Sequence, residues 1–175
     1  NLWRGKREYL YSEEKDMVIP DKNFYQVDLS NYDNCLWVTN NMDIVIHLAD
    51  IVAGINYVFS NENSVYRSNI LINSNVLNAC IHNNVKHFVL ASSSEVYGNP
   101  NPDEVPINEN NPIRPANPYS ISKVGHDLMS QYYYNAYDMK VITTRMFSHE
   151  GSRRGKEFAL SSFAYQIVQN EKGNG

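Results

Sequence analysis

The stretch VLASSSEVYG, residues 89–98, starts as an apolar run of the kind that fills a buried strand and passes without a spacer into three serines, a glutamate and a tyrosine. A buried strand that ends in hydroxyls and a carboxylate has the form of a strand in an open parallel sheet, where loops leaving the carboxyl edge build a ligand crevice. Further along, PYSISK (118–123) places Tyr119 and Lys123 four residues apart, so on a helix beginning near Pro118 they share a face. A Tyr-x-x-x-Lys spacing alone arises often by chance. Its combination with a serine cluster at a strand end is far more specific.

Working outward, short apolar or β-branched runs alternate with longer stretches of helical period, the signature of βαβ units. The pattern predicts strands at 23–28, 43–49, 87–92 and 140–147. Helices are expected near 5–14, 30–40, 61–83, 118–137 and 157–171. In the long helix Val65, Ile70, Ile72, Val76, Leu77, Cys80 and Ile81 form a wide apolar face for packing on a sheet. Residues 101–118 hold most of the prolines and read as a long loop, which inside a compact domain is usually functional. The asparagines are scattered rather than clustered and read as compositional drift.

The 175 residues, with 42% hydrophobic and 19% charged residues, suit one globular domain with a proper core. A net charge of −4 offers no basic footprint for nucleic acid or an anionic membrane, which leaves small metabolites as partners. Cys35 and Cys80 lack metal-ligand spacing and sit among apolar residues, as buried free thiols do. No metal site is expected. The absence of a membrane-length apolar run or signal-like start points to a cytoplasmic protein.

The set HLAD (47–50), ASSSEVYG (91–98), NPYSISK (117–123) and TTRMFSHEGSRRG (143–155) resembles the extended short-chain dehydrogenase/reductases, the NAD-dependent epimerase/dehydratase family that acts on nucleotide sugars. The resemblance covers almost the whole chain. It implies a Rossmann-type doubly wound parallel α/β sheet over residues 1–147 and the start of a small substrate domain over 148–175. The first strand and its glycine-rich turn are missing from this sequence, and both ends read as cut. The isolated piece is therefore expected to be inactive and aggregation-prone.

The resemblance assigns catalytic roles to Ser93, Tyr119 and Lys123, with Ser94 the less favoured serine and a substrate contact. NAD or NADP is the implied cofactor, tightly bound and recycled. Asp28 and Leu29 match the pair near the adenine, His47, Leu48 and Ala49 the strand end beside the cofactor, and Asn69 the helix asparagine behind the site. Arg4, Lys6 and Arg7 lie where a 2′-phosphate of NADP would fall, so Arg4 joins the cofactor set. An ammonium at Lys123 and a cationic nicotinamide should both favour a Tyr119 phenolate, which can take the proton of a sugar hydroxyl.

Glu95 narrows the reaction. The pattern around it looks like that of the 4,6-dehydratases and nucleotide-sugar decarboxylases, where a carboxylate removes the C5 proton beside a C4 ketone. FSHEGSRRGKEF (147–158) is similar to the FNHESPRRGETF stretch of GDP-mannose 4,6-dehydratases, and 157–173 to the matching helix there and in GDP-4-keto-6-deoxy-mannose reductases. Ser148, His149, Arg153 and Arg154 thereby become substrate contacts, the two guanidiniums suited to a phosphate clamp. Ser148, Ser152 and Ser162 depart from that group's usual residues, and 50–62 reads more like an epimerase loop. The expectation is a GDP-mannose 4,6-dehydratase working as a homodimer or homotetramer. The alternatives are an epimerase, a 4-keto reductase, a UDP-glucuronate decarboxylase, or a non-catalytic NAD(P)-binding protein.

Overall fold

In a computed structural model, residues 6–11 and 19–173 are described. Their elements run α1 (Tyr32–Thr39), β1 (Ile44–His47), α2 (Ile55–Ser60), α3 (Glu62–His82), β2 (His87–Ser93), α4 (Pro118–Ala136), β3 (Lys140–Met146) and α5 (Ala159–Glu171), with short 3₁₀ turns between. The three strands pair in parallel in the order β1-β2-β3, so β2 is central. Helix follows strand throughout, as the alternating pattern predicts.

Register explains which face is covered. Val45, Phe88 and Val141 align across the sheet and point into the core with Val76, Leu77, Ala79 and Cys80 of α3, Cys35 of α1 and Tyr133 of α4. The neighbouring row, Ile46, Val89 and Ile142, points the other way because side chains alternate along a strand. There Ile46 and Ile142 are 63% and 62% exposed. Phe88 is almost fully buried, and burying a side chain of that size contributes about 1.5–3 kcal/mol.

Local chemistry sets the helix ends. Asn31 caps α1 by accepting from the amides of Asp33 and Asn34, and Asn117 caps α4 in a reciprocal box with Ser120, with Pro118 at the first helical position. Asn84, at φ 55°, takes the left-handed conformation that closes α3. Asn75 ties the carbonyls of Leu29 and Ser30 to α3, and Asn83 donates to Leu36 O and Thr39 Oγ1. The asparagines are thus not drift. An amide carries both donor and acceptor and can satisfy loop backbone that apolar residues leave unpaired.

The strand expected at 23–28 is not formed. Its start is a 3₁₀ turn, Asp21–Asn23, and the extended residues after it make no ladder among the described strands. The helix expected near 5–14 is, where described, a single 3₁₀ turn, Arg7–Leu10. Conversely 55–60, read as loop, forms α2. Both cysteines are free and buried, and burial pushes the Cys35 thiol up to about 11 and Cys80 to about 12. No helix among the described residues is long and apolar enough to cross a membrane.

Candidate active site

The carboxyl ends of the strands open on a cavity of about 800 Å³. Its floor is the end of β2, where Ser93 enters a 3₁₀ turn, Ser94–Tyr97, and its hydroxyl accepts from the Glu95 amide at 3.2 Å. That turn can be tight because Gly98 takes φ +60°. A Cβ there would lie 1.9 Å from the Arg114 carbonyl, since the proline-rich loop returns to bond Arg114 N to Val96 O at 2.9 Å. The same loop delivers the chain to Asn117, whose amide reaches Glu95 at 3.5 Å, and so starts α4 beside the β2 edge.

Tyr119 and Lys123, one turn apart on α4, both line the cavity, with the ammonium 5.7 Å from the Tyr119 ring centroid. Lys123 is buried. Its ammonium donates to Ala91 O at 2.7 Å and forms an ion pair with Asp50, whose side chain is also buried. Asn73 donates to that carboxylate at 2.8 Å, while Asn69 clamps the next residue, accepting from Ile51 N at 2.7 Å and donating to Ile51 O at 3.2 Å.

The surroundings of Tyr119 act on its phenol in both directions. The Tyr119 phenol is pushed up to about 12, by burial first and by the Asp50 carboxylate next; a hydrogen bond with Ser93 opposes the rise. Lys123 does not act as a free charge here because Asp50 answers it at contact distance. The phenol lines the cavity with Ser93 beside it.

The opposite wall follows β3, where Ser148, His149 and Arg154 line the cavity. His149 Nδ1 donates to Phe147 O at 2.8 Å, and the Arg154 guanidinium lies 3.6 Å over Phe158 with Glu150 at 3.7 Å. Arg153 takes φ +71°, and its guanidinium leaves the cavity to donate to Tyr9 O at 3.1 Å. The structure does not bring the expected arginine pair to one point.

Of the remaining expected residues, Leu48 lines the cavity; His47, Ala49 and Asn69 lie outside its lining. His47 is buried in the wall, and burial pulls its imidazole down to about 4. Asp28 and Leu29 sit in the turn before α1, where Asp28 accepts from Ser30 N at 2.9 Å, which holds its carboxyl below the usual range. Arg4 lies outside the described residues. Asp50 and Asn73 were not foreseen as site residues. The signal for Asp50 was visible: a carboxylate three residues after an apolar strand must find a partner or stay solvated.

The chain matches the model of the NAD dependent epimerase/dehydratase family over residues 3–174. It is 31% identical over 140 residues to a dTDP-D-glucose 4,6-dehydratase of Dictyostelium discoideum, covering 75% of this chain and 32% of that protein. With GDP-mannose 3,5-epimerase 1 of Oryza sativa subsp. indica it shares 30% identity over 148 residues, 80% of this chain and 39% of the relative. Among solved structures, RMD from Pseudomonas aeruginosa, complexed with NADPH, superposes with a TM-score of 0.81 at 26% identity. That match covers 90% of this chain and 53% of that one. The chain thus spans well under two thirds of the proteins it matches.

Proposed function

The chain belongs to the NAD-dependent epimerase/dehydratase family, and from that premise we propose that it acts as a nucleotide-sugar 4,6-dehydratase, with GDP-mannose the expected substrate. The observation that carries the reading is Glu95 at the cavity, two residues beyond Ser93 and near enough for its charge to act on Tyr119. A dehydratase needs a carboxylate there; simple oxidation at C4 does not.

The residues present fit NAD or NADP. The cavity opens at the carboxyl edge of a parallel sheet, and Lys123 supplies a fixed ammonium on its wall. When bound, the nicotinamide supplies the acceptor for hydride from C4 and its later return to C6. Leu48, Tyr119 and Lys123 are the residues placed to hold it, with Arg4, Asp28, Leu29, His47, Ala49 and Asn69 carried over as expectations. Tyr119 moves the proton of the C4 hydroxyl, with Ser93 hydrogen-bonded to the same oxygen. Glu95 then removes the C5 hydrogen that the C4 ketone makes acidic, and water departs from C6. Ser94, Ser148, His149 and Arg154 face the sugar-diphosphate side. This reading divides the chain at 147/148 into a cofactor-binding part and the beginning of a substrate part.

The test is product mass after incubating the full-length protein with NAD(P) and a panel of GDP-, UDP- and dTDP-hexoses. Loss of one water from GDP-mannose supports the whole reading, and loss from another sugar corrects only the substrate. Unchanged mass with a rearranged sugar makes it an epimerase. Glu95→Gln should lower dehydration by about 10²-fold or more; turnover at the parental rate would remove Glu95 as the base.

A further inference from the structure

The buried carboxylate that ends the β1 loop is unaccounted for by the chemistry above. Asp50 has its side chain 4% exposed, an expensive place for a charge, and it is held there by Lys123 and by Asn73. The backbone beside it is fixed in turn by the two Asn69 bonds to Ile51, which hold the loop that carries the carboxylate. We propose that Asp50 is a positioning residue of this site, anchoring the Lys123 ammonium through the buried ion pair and cancelling the charge Lys123 would otherwise lend to the Tyr119 hydroxyl.

Charged groups act on Tyr119 from several elements: Asp50 beyond β1, Glu95 in the turn after β2 and Arg154 beyond β3, with Lys123 on α4 5.7 Å from its ring centroid. His47 and His126 face the Asp50–Lys123 pair itself. Of the acidic groups Asp50 raises the phenol more than Glu95 does, and Arg154 opposes both weakly. Burial does most to hold the phenol protonated, and Asp50 is the charged group that adds most to it. A cation arriving over the phenol would restore the balance that Asp50 removes. Proton transfer is then tied to cofactor arrival rather than left permanently available.

That Tyr119 carries the reaction's proton rests on the function proposed above, so the test is read on the cofactor-free, full-length protein, without turnover. Tyrosinate absorbance is titrated in the parent and in Asp50→Asn, each against the same protein carrying Tyr119→Phe to isolate one phenol among 13. In the parent Tyr119 should stay protonated through about pH 11. Asp50→Asn should lower its midpoint by about one to three units, giving at least about tenfold more phenolate at pH 9. An unmoved midpoint in the folded variant overturns the proposal and leaves Asp50 a packing residue. Should that variant fail to fold, Asp50→Asn/Lys123→Met leaves neither charge buried. Cancellation requires its Tyr119 midpoint to stay within about one unit of the parent's, and a larger fall sinks the idea. Failure of the mass assay with success of this titration would reject the dehydratase and keep the role of Asp50.

Discussion

Lys123 and Asp127 sit one turn apart on α4, and each reaches a buried partner of opposite charge outside the helix, yet the two pairs differ in what surrounds them. Asp127 meets Arg145 of β3 through two bonds, Nε to Oδ2 at 2.7 Å and Nη2 to Oδ1 at 3.2 Å. Gln131 adds a third to the carboxylate, and Arg145 also bonds Tyr97 Oη at 3.1 Å and Glu109 O at 3.0 Å. That network joins helix, strand, 3₁₀ turn and proline-rich loop. The Lys123–Asp50 pair instead forms part of a cavity wall, one turn from Tyr119. A pair enclosed by further bonds holds elements together; a pair set in a cavity wall beside a phenol also sets the charge which that phenol meets. The same helix thus anchors the fold at one turn and the chemistry at the one before it.

The largest expected effect lies at the cavity. Tyr119→Phe removes only a hydroxyl, so it should cut turnover by about 10²- to 10⁴-fold while the thermal midpoint stays near the parental value. Parental turnover from a folded variant would erase the distinction between the two pairs. Next comes the enclosed pair. Asp127→Ala leaves the partly buried Arg145 guanidinium without its counter-ion, and urea unfolding should show a loss of about 3 kcal/mol. A loss below about 1 kcal/mol would mean that Tyr97 and Glu109 suffice for Arg145, and that the network is not an anchor.

The comparison also shows what the chain made legible. β2, α3 and α4 were readable because their apolar periods and turn residues act locally; the serine cluster and Tyr119/Lys123 stood out by their combined spacing on those elements, and the family resemblance supplied their roles. Asp50 was harder to read, because its role depends on Lys123, 73 residues away in sequence, and only the parallel pairing of β1 with β2 brings them together. The same holds for Asn73, Asn75 and Asn83, whose amides work across elements. Residues 23–28 failed for the opposite reason: their pattern is strand-like, but a strand is defined by its neighbour. Arg153 and Arg154 were read as a pair from the resemblance of 147–158, and a left-handed residue at 153 separates them.

A third effect tests whether burial around both pairs has a cost in acid. His47 and His126, on the strand and helix that carry the two pairs, are both drawn down to about 4 by burial. Below about pH 6.5 the unfolded chain takes up protons that the folded one refuses until about pH 4. The stability these residues contribute is complete above 6.5 and is lost as pH falls through 4, on the order of 3 kcal/mol for each. The midpoint of unfolding should therefore drop between pH 7 and 4.5. His126→Phe should flatten that drop, and an unchanged slope would show that the acid response belongs to carboxylates.

The smallest effect belongs to a third ion pair, which sets the scale for the other two. Arg114 meets Glu104 with two bonds of 2.7 Å, a geometry as good as that of Asp127 with Arg145, and holds the Glu104 carboxyl down at about 2. This pair lies on the surface of the proline-rich loop, where water can replace either partner. Its contribution is present above the ordinary carboxylate range and fades as pH falls toward 2. Arg114→Gln should shift the thermal midpoint at pH 7 by no more than about two degrees, because the Arg114 amide keeps its bond to Val96 O and with it the turn at Gly98. A shift as large as that of Asp127→Ala would place the guanidinium, rather than the backbone, in control of the loop that starts α4. Burial would then not be what separates an anchoring pair from a decorative one.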